Sequence, residues 1–479
     1  MTKAHKTNIA DMTAVELCQL FETKELSPLE ATHASLQRIA KCNPSVNAYC
    51  FVAEEDAIKA AKESETRWFK GEPLSKIDGV TSSIKDLTLV AGWPHRSGSR
   101  TSSKDLANVD APFTQKMRQA GAVILGKTTT PEFGWKGVTD SPLTGVTRNP
   151  WNTTLTSGGS SGGAAAAAAL NMGVLHQASD AGGSIRIPAS FCGVFGIKPT
   201  FGFIPQWPAS AMTTLSHLGP ISRTVQDSLL MMDVIAKPDL RDWYSTRIFN
   251  GSWSDQKSLP LKGLKIAYSP TLGYVDVDAG VLKLADSAVN ALKEMGAEVD
   301  LIDPGFKDPI DTFSTLWFAG AAKVVSNLNE QQRGLLDPGF LQIGVKGSEI
   351  DIVDYMKAAD QRAELGRSMQ EFHSTYDILI TPTLPRTAFN AGQNTETADQ
   401  EHWTDWTPFS YPFNLTQQPA LTIPCGLLNG LPVGLQVVAN RGDDLLAISI
   451  AKYIEDLIPV EFLDAPRHGT DKLTRATLD

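Results

Sequence analysis

The chain has 479 residues, of which 42% are hydrophobic and 20% charged, a balance that supports a large folded core and excludes general disorder. It carries 43 basic and 53 acidic side chains, a net charge of -10, without any run of five like charges. An acidic surface of this kind argues against nucleic acid or an anionic membrane as the main partner.

The first predicted elements are helices. Within residues 12–42, Leu17, Leu20 and Phe21 fall on one face of a first helix. Ser27 and Pro28 then supply an N-cap and a first-turn proline for a second helix. We therefore expect residues 1–70 to form N-terminal helices that pack on the main body of the protein.

From about residue 78 onward, short apolar runs alternate with helical patterns. Strands are predicted at AVIL (122–125), KIAY (265–268), DILI (377–380), LTIP (421–424) and GLQVVA (434–439), and helices at 164–170, 279–294 and 443–457. This alternation favours an α/β layered fold with a mostly parallel or mixed sheet. No linker-like composition divides the chain, so residues 1–479 are expected to form a single large domain.

Residues 386–410 (RTAFNAGQNTETADQEHWTDWTPFS) show neither helical nor strand periodicity. Long loops in compact domains are often functional, so this segment is predicted to be a long loop near an active site. The alternative is a surface excursion without function.

The cysteines and the N-terminal sequence indicate the cellular compartment in which the protein is expected. The five cysteines are an odd number without C-x-x-C spacing, which fits free thiols in a reducing environment: Cys18, Cys42, Cys50, Cys192 and Cys425. The N-terminal MTKAHKTNIADM lacks the apolar core of a secretory signal, and no apolar run reaches 18 residues. A cytoplasmic protein is expected.

Three motifs compete in the glycine-rich centre, and the first is a formal Walker A match, GAVILGKT, from Gly121 to Thr128. A phosphate-binding loop needs flexible residues between its glycines and a helix that begins near the lysine. Here the four intervening residues are apolar and resemble a strand, and a proline follows soon after. A nucleotide-binding module is therefore a weak alternative.

The second motif is G-x-S-x-G at GGSSG, from Gly158 to Gly162, the pattern of the α/β-hydrolase nucleophile elbow. That elbow needs a strand directly before it and a helix directly after it. The alanine-rich helix follows, but the preceding TRNPWNTTLTS is turn-rich and is not expected to form the strand.

The third interpretation takes the whole block from Thr156 to Gly202. Ser160 and Ser184 each stand among glycines, 24 residues apart, with an alanine-rich helix and a short strand between them. Glycines beside a serine let backbone amides approach a bound carbonyl oxygen closely. The segment DAGGS, from Asp180 to Ser184, could therefore stabilise an oxyanion beside the Ser184 hydroxyl.

This block resembles the signature of the amidase signature family of Ser–cis-Ser–Lys hydrolases. The resemblance extends to ILGKTTTPEFG (124–134), NPWN (149–152), HLGPISRTVQDS (217–228), DILITPTLP (377–385) and PFNLTQQPALTIPCG (412–426). It implies a central mixed β-sheet covered by helices on both faces. It also implies that Ser184 is the nucleophile, Ser160 the bridging serine with a cis peptide bond, and Lys85 of SSIKDLTLVAG the base.

The chemistry that this resemblance implies needs a neutral lysine. A serine attacks a carbonyl only when a base takes its proton, and lysine can be that base only if burial lowers its pKa from about 10.4. The oxyanion would be held by the amides of Ala181, Gly182, Gly183 and Ser184. No metal and no organic cofactor is expected, and Asp180 with Arg186 is expected to be a structural ion pair.

The resemblance implies that the segment with Gly134 and Trp135 lines the substrate pocket, and we add the stretch after the signature, with Trp207 and Met212. Apolar and aromatic walls without a cationic cluster favour a small neutral amide or carbamate, with esters as a side activity. The alternative function is the glutamine-hydrolysing subunit of a tRNA-dependent amidotransferase. No nucleic acid or membrane partner is expected, and a homodimer stays open.

Overall fold

The computed structural model of the chain describes residues 8–245, 249–459 and 462–468. The α-helices of these residues are Ala14–Thr23 (α1), Pro28–Val46 (α2), Glu54–Lys70 (α3), Pro112–Gln119 (α4), Gly162–Ala169 (α5), Arg186–Cys192 (α6), Val225–Ile235 (α7), Ala279–Glu294 (α8), Ile310–Ser326 (α9), Glu330–Arg333 (α10), Pro338–Ser348 (α11), Ile352–Phe372 (α12), Pro412–Leu415 (α13) and Asp444–Leu457 (α14). None of them is long and apolar enough to cross a membrane.

The strands are Tyr49–Val52 (β1), Thr81–Lys85 (β2), Val123–Thr128 (β3), Asp140–Ser141 (β4), Gly145–Val146 (β5), Arg148–Asn149 (β6), Asn152–Thr156 (β7), Leu175–Asp180 (β8), Phe195–Lys198 (β9), His217–Ser222 (β10), Lys265–Tyr268 (β11), Glu298–Leu301 (β12), Ile378–Pro382 (β13), Ala420–Leu428 (β14) and Leu431–Ala439 (β15). Eleven of them form one sheet in the order β1-β3-β2-β8-β10-β9-β14-β15-β13-β11-β12.

The large sheet is mixed, as the sequence predicts. Parallel pairing joins β3, β2 and β8 near one edge and β13, β11 and β12 at the other. The strands between these groups pair antiparallel, from β8 through β10, β9, β14 and β15 to β13. β2 and β8 are neighbours in this order, which places the end of the strand that carries Lys85 beside the strand that leads into the Ser184 loop.

Helices cover both faces of this sheet. Along β3, Val123 and Leu125 pack in one apolar cluster, with residues of α2 and α5. Ile124 between them packs in another, with residues of α7, α8 and α14. Because side chains alternate between the faces of a strand, the two clusters lie on opposite faces. The predicted single α/β domain with a two-sided helical cover is confirmed.

The N-terminal elements begin and end close to the predicted positions. Ser27 caps α2 in a capping box with Glu30, and Pro28 is the first helical residue. The amide of Ala14 in α1 donates to the Asp227 carboxylate of α7 at 2.9 Å. The helices of residues 1–70 that the structure describes thus lie against the rest of the chain.

One local prediction is wrong. The segment before the GGSSG motif forms the strand β7, which pairs with β6 in a separate two-stranded sheet. Thr153 and Thr154 are β-branched and suit an extended backbone, which outweighs the turn-forming residues around them. Because β7 is outside the eleven-stranded sheet, it still does not supply the central strand that a nucleophile elbow needs.

Candidate active site

Lys85 is the last residue of β2, and every residue of that strand is buried. Its Nζ lies 2.7 Å from Ser160 Oγ, 2.8 Å from Ser161 Oγ and 3.0 Å from Ser179 Oγ. Its backbone N–H donates to Gln177 Oε1 at 2.8 Å, which fixes the end of the strand. The nitrogen-bearing end of the side chain is therefore enclosed by three hydroxyl groups.

Burial determines the charge of this lysine. The side chain is fully buried, and desolvation lowers the pKa of Lys85 well below its usual value, while the negative charge of Asp180 opposes this shift. Hydroxyl groups carry no net charge and cannot replace a carboxylate as a counter-ion. The arrangement favours the neutral amine, the form that can accept a proton.

Ser160 contacts Lys85, and the next residue, Ser161, donates its amide to the Ser184 carbonyl oxygen. The peptide bond between Gly159 and Ser160 is cis in this structure. A Cβ on Gly159 would lie 2.4 Å from the backbone of Val138, so only glycine fits there. Ser160 is 2% exposed, so its hydroxyl sits in a closed environment.

Ser184 lies in the turn between β8 and α6, and its carbonyl oxygen accepts a hydrogen bond from the Ser161 amide at 3.2 Å. The preceding Gly183 has φ +126°, and a Cβ there would lie 2.5 Å from Ser410 Oγ. In the described part of the chain, the Ser184 hydroxyl has no hydrogen-bond partner. The loop therefore holds the serine backbone and leaves its Oγ available.

The four amides predicted to hold an oxyanion are not equivalent. The Gly183 amide donates to Asp180 Oδ1 at 2.8 Å, so it is already occupied. Among the residues that the structure describes, no acceptor takes the amides of Ala181, Gly182 or Ser184. Three of the four predicted donors are thus free to bind a substrate oxygen.

A buried ion pair supports this loop. Arg186 Nε donates to Asp180 Oδ2 at 2.9 Å and Arg186 Nη2 to Asp180 Oδ1 at 3.0 Å, with both side chains fully buried. The guanidinium also donates to Asn414, Gln436 and the Ser410 carbonyl oxygen. Burial alone would raise the pKa of Asp180, but the adjacent Arg186 lowers it below its usual value. Asp180 is therefore a structural carboxylate, and the predicted role of this pair agrees with the geometry.

Aromatic rings pack against one side of the loop that carries Ser184. A Cβ on Gly182 would lie 2.8 Å from both Phe313 Cζ of α9 and a ring carbon of Trp403. Phe313 stacks on Trp317 with ring centroids 5.2 Å apart. Trp403 belongs to the segment 386–410, so this segment does reach the candidate site. Sequence reasoning did not find Phe313 and Trp317, because α9 lies far beyond Ser184 in the chain and carries no local motif.

The residues predicted to line the substrate pocket lie at different places relative to Ser160. Gly134 is at the site, because a Cβ there would lie 3.3 Å from Ser160 Oγ. Trp135 packs on Phe340 of α11, with ring centroids 6.3 Å apart, and Met212 packs against Gly320 of α9. Trp135, Phe340 and Met212 belong to the same apolar cluster as the aromatic rings beside Gly182.

Trp207 packs against a different group, Arg241. The guanidinium carbon of Arg241 lies 5.6 Å from the centroid of the Trp207 ring. Arg241 also donates hydrogen bonds to the Asp110 carbonyl oxygen and to Gln115 Oε1. No contact of Trp207 among the described residues joins it to Ser160 or Ser184. The sequence pattern could not distinguish this position from Met212, five residues further along.

The Walker A match is part of the sheet. GKT lies inside β3, and Lys127 forms a buried ion pair with Asp86 at 2.7 Å. A Cβ on Gly126 would lie 2.1 Å from the Phe51 carbonyl oxygen, so this glycine serves strand packing. The segment is therefore no phosphate-binding loop. In the described part of the chain, no histidine hydrogen-bonds to Ser160 or Ser184.

Comparison with known proteins identifies the family of this chain. Residues 30–447 match the family model described as Amidase, and the chain belongs to this family. An acylamidase of Rhodococcus erythropolis is 36% identical over 461 residues, which cover 94% of this chain and 96% of that protein. The enzyme is thus an amidase, one that acts on amide carbon–nitrogen bonds.

Two further relatives show the breadth of the family. A glutamyl-tRNA(Gln) amidotransferase subunit from Carboxydothermus hydrogenoformans is 30% identical over 471 residues, covering 93% of this chain and 96% of that one. The crystal structure of a bacterial aryl acylamidase of the amidase signature family has a TM-score of 0.87 at 27% identity, covering 94% of this chain and 96% of that one. The predicted family and fold are confirmed.

Proposed function

We propose that the protein hydrolyses neutral acyl amides through a covalent acyl-enzyme on Ser184. The observation that carries this proposal is the buried Lys85 amine, 2.7 Å from Ser160 Oγ and beside the Ser184 loop. Family membership supports the reaction class, and the relatives named acylamidase and aryl acylamidase support an acyl amide as substrate.

The donors and acceptors of the hydrogen bonds around Lys85 support its proposed role as base. Ser161 Oγ donates to the Ser179 carbonyl oxygen at 3.1 Å, so it accepts from Lys85. Ser179 Oγ accepts the second N–H of the neutral amine. The remaining lone pair then faces the Ser160 hydroxyl, which is the orientation that a proton relay requires.

The proposed reaction has two halves. Ser184 Oγ attacks the carbonyl carbon while its proton passes to Ser160 and the Ser160 proton passes to Lys85. The resulting ammonium returns a proton through Ser160 to the amide nitrogen, the C–N bond breaks, and the amine leaves. Water then attacks the acyl-enzyme by the same relay and releases the carboxylic acid.

The developing negative charge is assigned to the free amides of the loop. In this proposal Ala181, Gly182 and Ser184 donate to the oxyanion, while Gly183 holds Asp180 and supplies the backbone conformation. Fixed donors in a buried site stabilise a transition state more than flexible ones, because no reorganisation is needed during the reaction.

The substrate class follows from the walls of the site. Phe313, Trp317 and Trp403 form a buried apolar layer beside the loop, and such surroundings favour an aryl or alkyl group over a charged one. The cation next to the nucleophile, Arg186, already donates to Asp180, Asn414, Gln436 and Ser410. A substrate carboxylate would find no unoccupied donor in that guanidinium. Carbamates and esters present the same carbonyl, so we include them as side activities.

A partition experiment tests the acyl-enzyme. An anilide and a nitrophenyl ester with the same acyl group are hydrolysed in the presence of hydroxylamine, and the ratio of hydroxamate to acid is measured. A common acyl-enzyme gives the same ratio for both substrates, because the leaving group has departed before the acceptor attacks. Ratios that differ between the two substrates would contradict the proposal. Ser184→Ala should yield neither product.

The alternative function is tested by comparing kcat/KM for a neutral anilide and for glutamine. We expect the anilide to be the better substrate by at least tenfold, about 1.4 kcal/mol in transition-state binding. A preference for glutamine would support the amidotransferase function instead and would contradict the assignment of the aromatic walls.

The other expectations from the sequence are part of this proposal. They are a small-molecule substrate, a cytoplasmic location, no nucleic acid or membrane partner, and a reaction without metal or cofactor. A homodimer stays open, and light scattering of the purified protein measures it directly.

A further inference from the structure

Lys136 is a buried cation that joins three other parts of the chain. It is 3% exposed, and its Nζ donates to Asp140 Oδ1 at 2.7 Å, to Asp337 Oδ2 at 3.1 Å and to Asn394 Oδ1 at 2.9 Å. Asp140 belongs to β4, Asp337 caps α11, and Asn394 lies in the segment 386–410. An ammonium group has three N–H donors, so these three acceptors use all of them.

The backbone around Lys136 lies against the proposed relay serine. A Cβ on Gly134 would lie 3.3 Å from Ser160 Oγ, and a Cβ on Gly159 would lie 2.4 Å from the Val138 backbone. Lys136 stands between these two contacts in the chain. A shift of its backbone would therefore move the surroundings of Ser160, because close-packed interiors transmit strain.

The other end of this network holds two tryptophans. The Asn394 carbonyl oxygen accepts a hydrogen bond from Trp406 Nε1 at 3.0 Å, so the residue whose side chain binds the ammonium also holds this ring. A Cβ on Gly137 would lie 3.0 Å from Trp406 and 3.1 Å from Trp403. Trp403 in turn lies against Gly182. The network therefore sets the position of both rings relative to the Gly182 amide, a proposed oxyanion donor.

The positive charge keeps these segments together. The side chains of Asp140 and Asp337 are 20% and 11% exposed, and both accept from the same nitrogen. Without the ammonium group, two partly buried carboxylates would face each other, and their repulsion would separate the segments that carry them. Asn394 contributes a neutral acceptor, so its replacement removes one link and leaves both ion pairs.

We infer that Lys136 is a positioning residue for the proposed amide hydrolysis. Through Asn394 it holds Trp403 and Trp406 in place, and this sets the width of the site for substrates with an aromatic group. The donors of its ammonium group are occupied, so Lys136 acts through its neighbours and does not bind the substrate. The inference rests on the proposed function, because turnover of an anilide is its measure.

A double-mutant cycle of Lys136 and Asn394 tests this role. Asn394→Ala should raise KM for an anilide about fivefold, the usual effect of one lost hydrogen bond, and leave kcat within about twofold. The value of kcat/KM for acetamide should change by less than about twofold, because so small a substrate gains little from the rings. Lys136→Met should raise KM for the anilide at least as much. Adding Asn394→Ala to Lys136→Met should change KM no further, since the contact is already lost.

Two further variants are the controls. Asn394→Asp keeps an oxygen acceptor of the same size and should have the KM of the parent. Gln393→Ala, at the exposed neighbouring position, should leave KM within about twofold of the parent. An unchanged KM in Asn394→Ala, an equal rise in Gln393→Ala, or fully additive effects of the Lys136 and Asn394 changes would overturn the inference.

Partition of the acyl group to hydroxylamine separates this inference from the proposed function. If the parent gives the same ratio of hydroxamate to acid for the anilide and the ester, and Asn394→Ala leaves KM unchanged, the positioning role alone is wrong. Ratios that differ between the two substrates in the parent would instead contradict the acyl-enzyme, and the positioning role would fail with it.

Discussion

At the scale of single residues, the charge of Lys85 controls the proposed chemistry. The base is active only when neutral, and burial lowers its pKa well below the usual value of about 10.4. We therefore expect kcat/KM to rise with pH through one ionisation and to reach its plateau before that usual value. The measurement is a pH profile under conditions where the protein stays folded. A profile that falls as pH rises from neutral would contradict a lysine base.

Ser179 offers a second test at this scale. Its Oγ is 3.0 Å from Lys85 Nζ, and we assign it the role of orienting the amine toward Ser160. Ser179→Ala should lower kcat about fivefold, from the loss of roughly 1 kcal/mol of hydrogen bonding. The kinetic pKa should also move down, because the ammonium form loses an acceptor.

Ser179→Thr is the matched control, since it keeps the hydroxyl group and should restore both kcat and the pH profile. If Ser179→Ala changes neither quantity, Ser179 has no orienting role and the lysine is held by Ser160 and Ser161 alone.

At the scale of elements, the ion pair between Asp180 and Arg186 joins β8 to α6 on either side of Ser184. Arg186→Met would leave the Asp180 carboxylate buried without its cation. We expect the free energy of unfolding to fall by about 3–5 kcal/mol, as found when one partner of a buried pair is removed. Urea unfolding measures this change.

Arg367→Gln is the comparison for that variant, because it removes an exposed ion pair of α12 and should leave stability unchanged. Equal stability of Arg186→Met and the parent would show that the pair does not hold the loop that carries Ser184.

The segment 386–410 carries the second prediction at this scale. Trp403 lies against Gly182, so Trp403→Ala should enlarge the space beside the nucleophile. We expect kcat/KM for an anilide to fall about tenfold more than kcat/KM for acetamide, because only the larger substrate loses apolar contact. Trp243→Ala, a change at a tryptophan that is 76% exposed, is the control. If kcat/KM falls equally for both substrates, Trp403 does not line the substrate pocket.

Most elements of this fold could be predicted from local patterns. The helix 279–294 and the strand 265–268 are found at the predicted residues, because their periodicity and end residues agree with their burial. Strand β7 was missed because its threonines and asparagines resemble a turn until β6 pairs with it. The sheet order could not be predicted, since it depends on pairings between strands far apart in the chain.

At the scale of the whole molecule, contacts between segments far apart in the chain also limit what the sequence predicts about the candidate site. Glycine spacing and family resemblance indicated Lys85, Ser160 and Ser184, and the fold brings Lys85 and Ser160 into contact. The aromatic wall could not be predicted, because Phe313 and Trp403 come from two segments that meet only in the tertiary structure. Trp207 is near the signature in sequence, but the ring contact that the structure gives it is with Arg241.

The central claim is that Ser184 is the group that becomes acylated. Phenylmethanesulfonyl fluoride mimics an acyl donor and leaves a stable adduct on an activated serine, which peptide mass spectrometry locates. We predict one adduct per chain, on Ser184, at a rate that follows the loss of activity and that Lys85→Ala slows strongly because the base is gone. An adduct on Ser160 with Ser184 unmodified would contradict the account, and so would full inactivation without any adduct on Ser184.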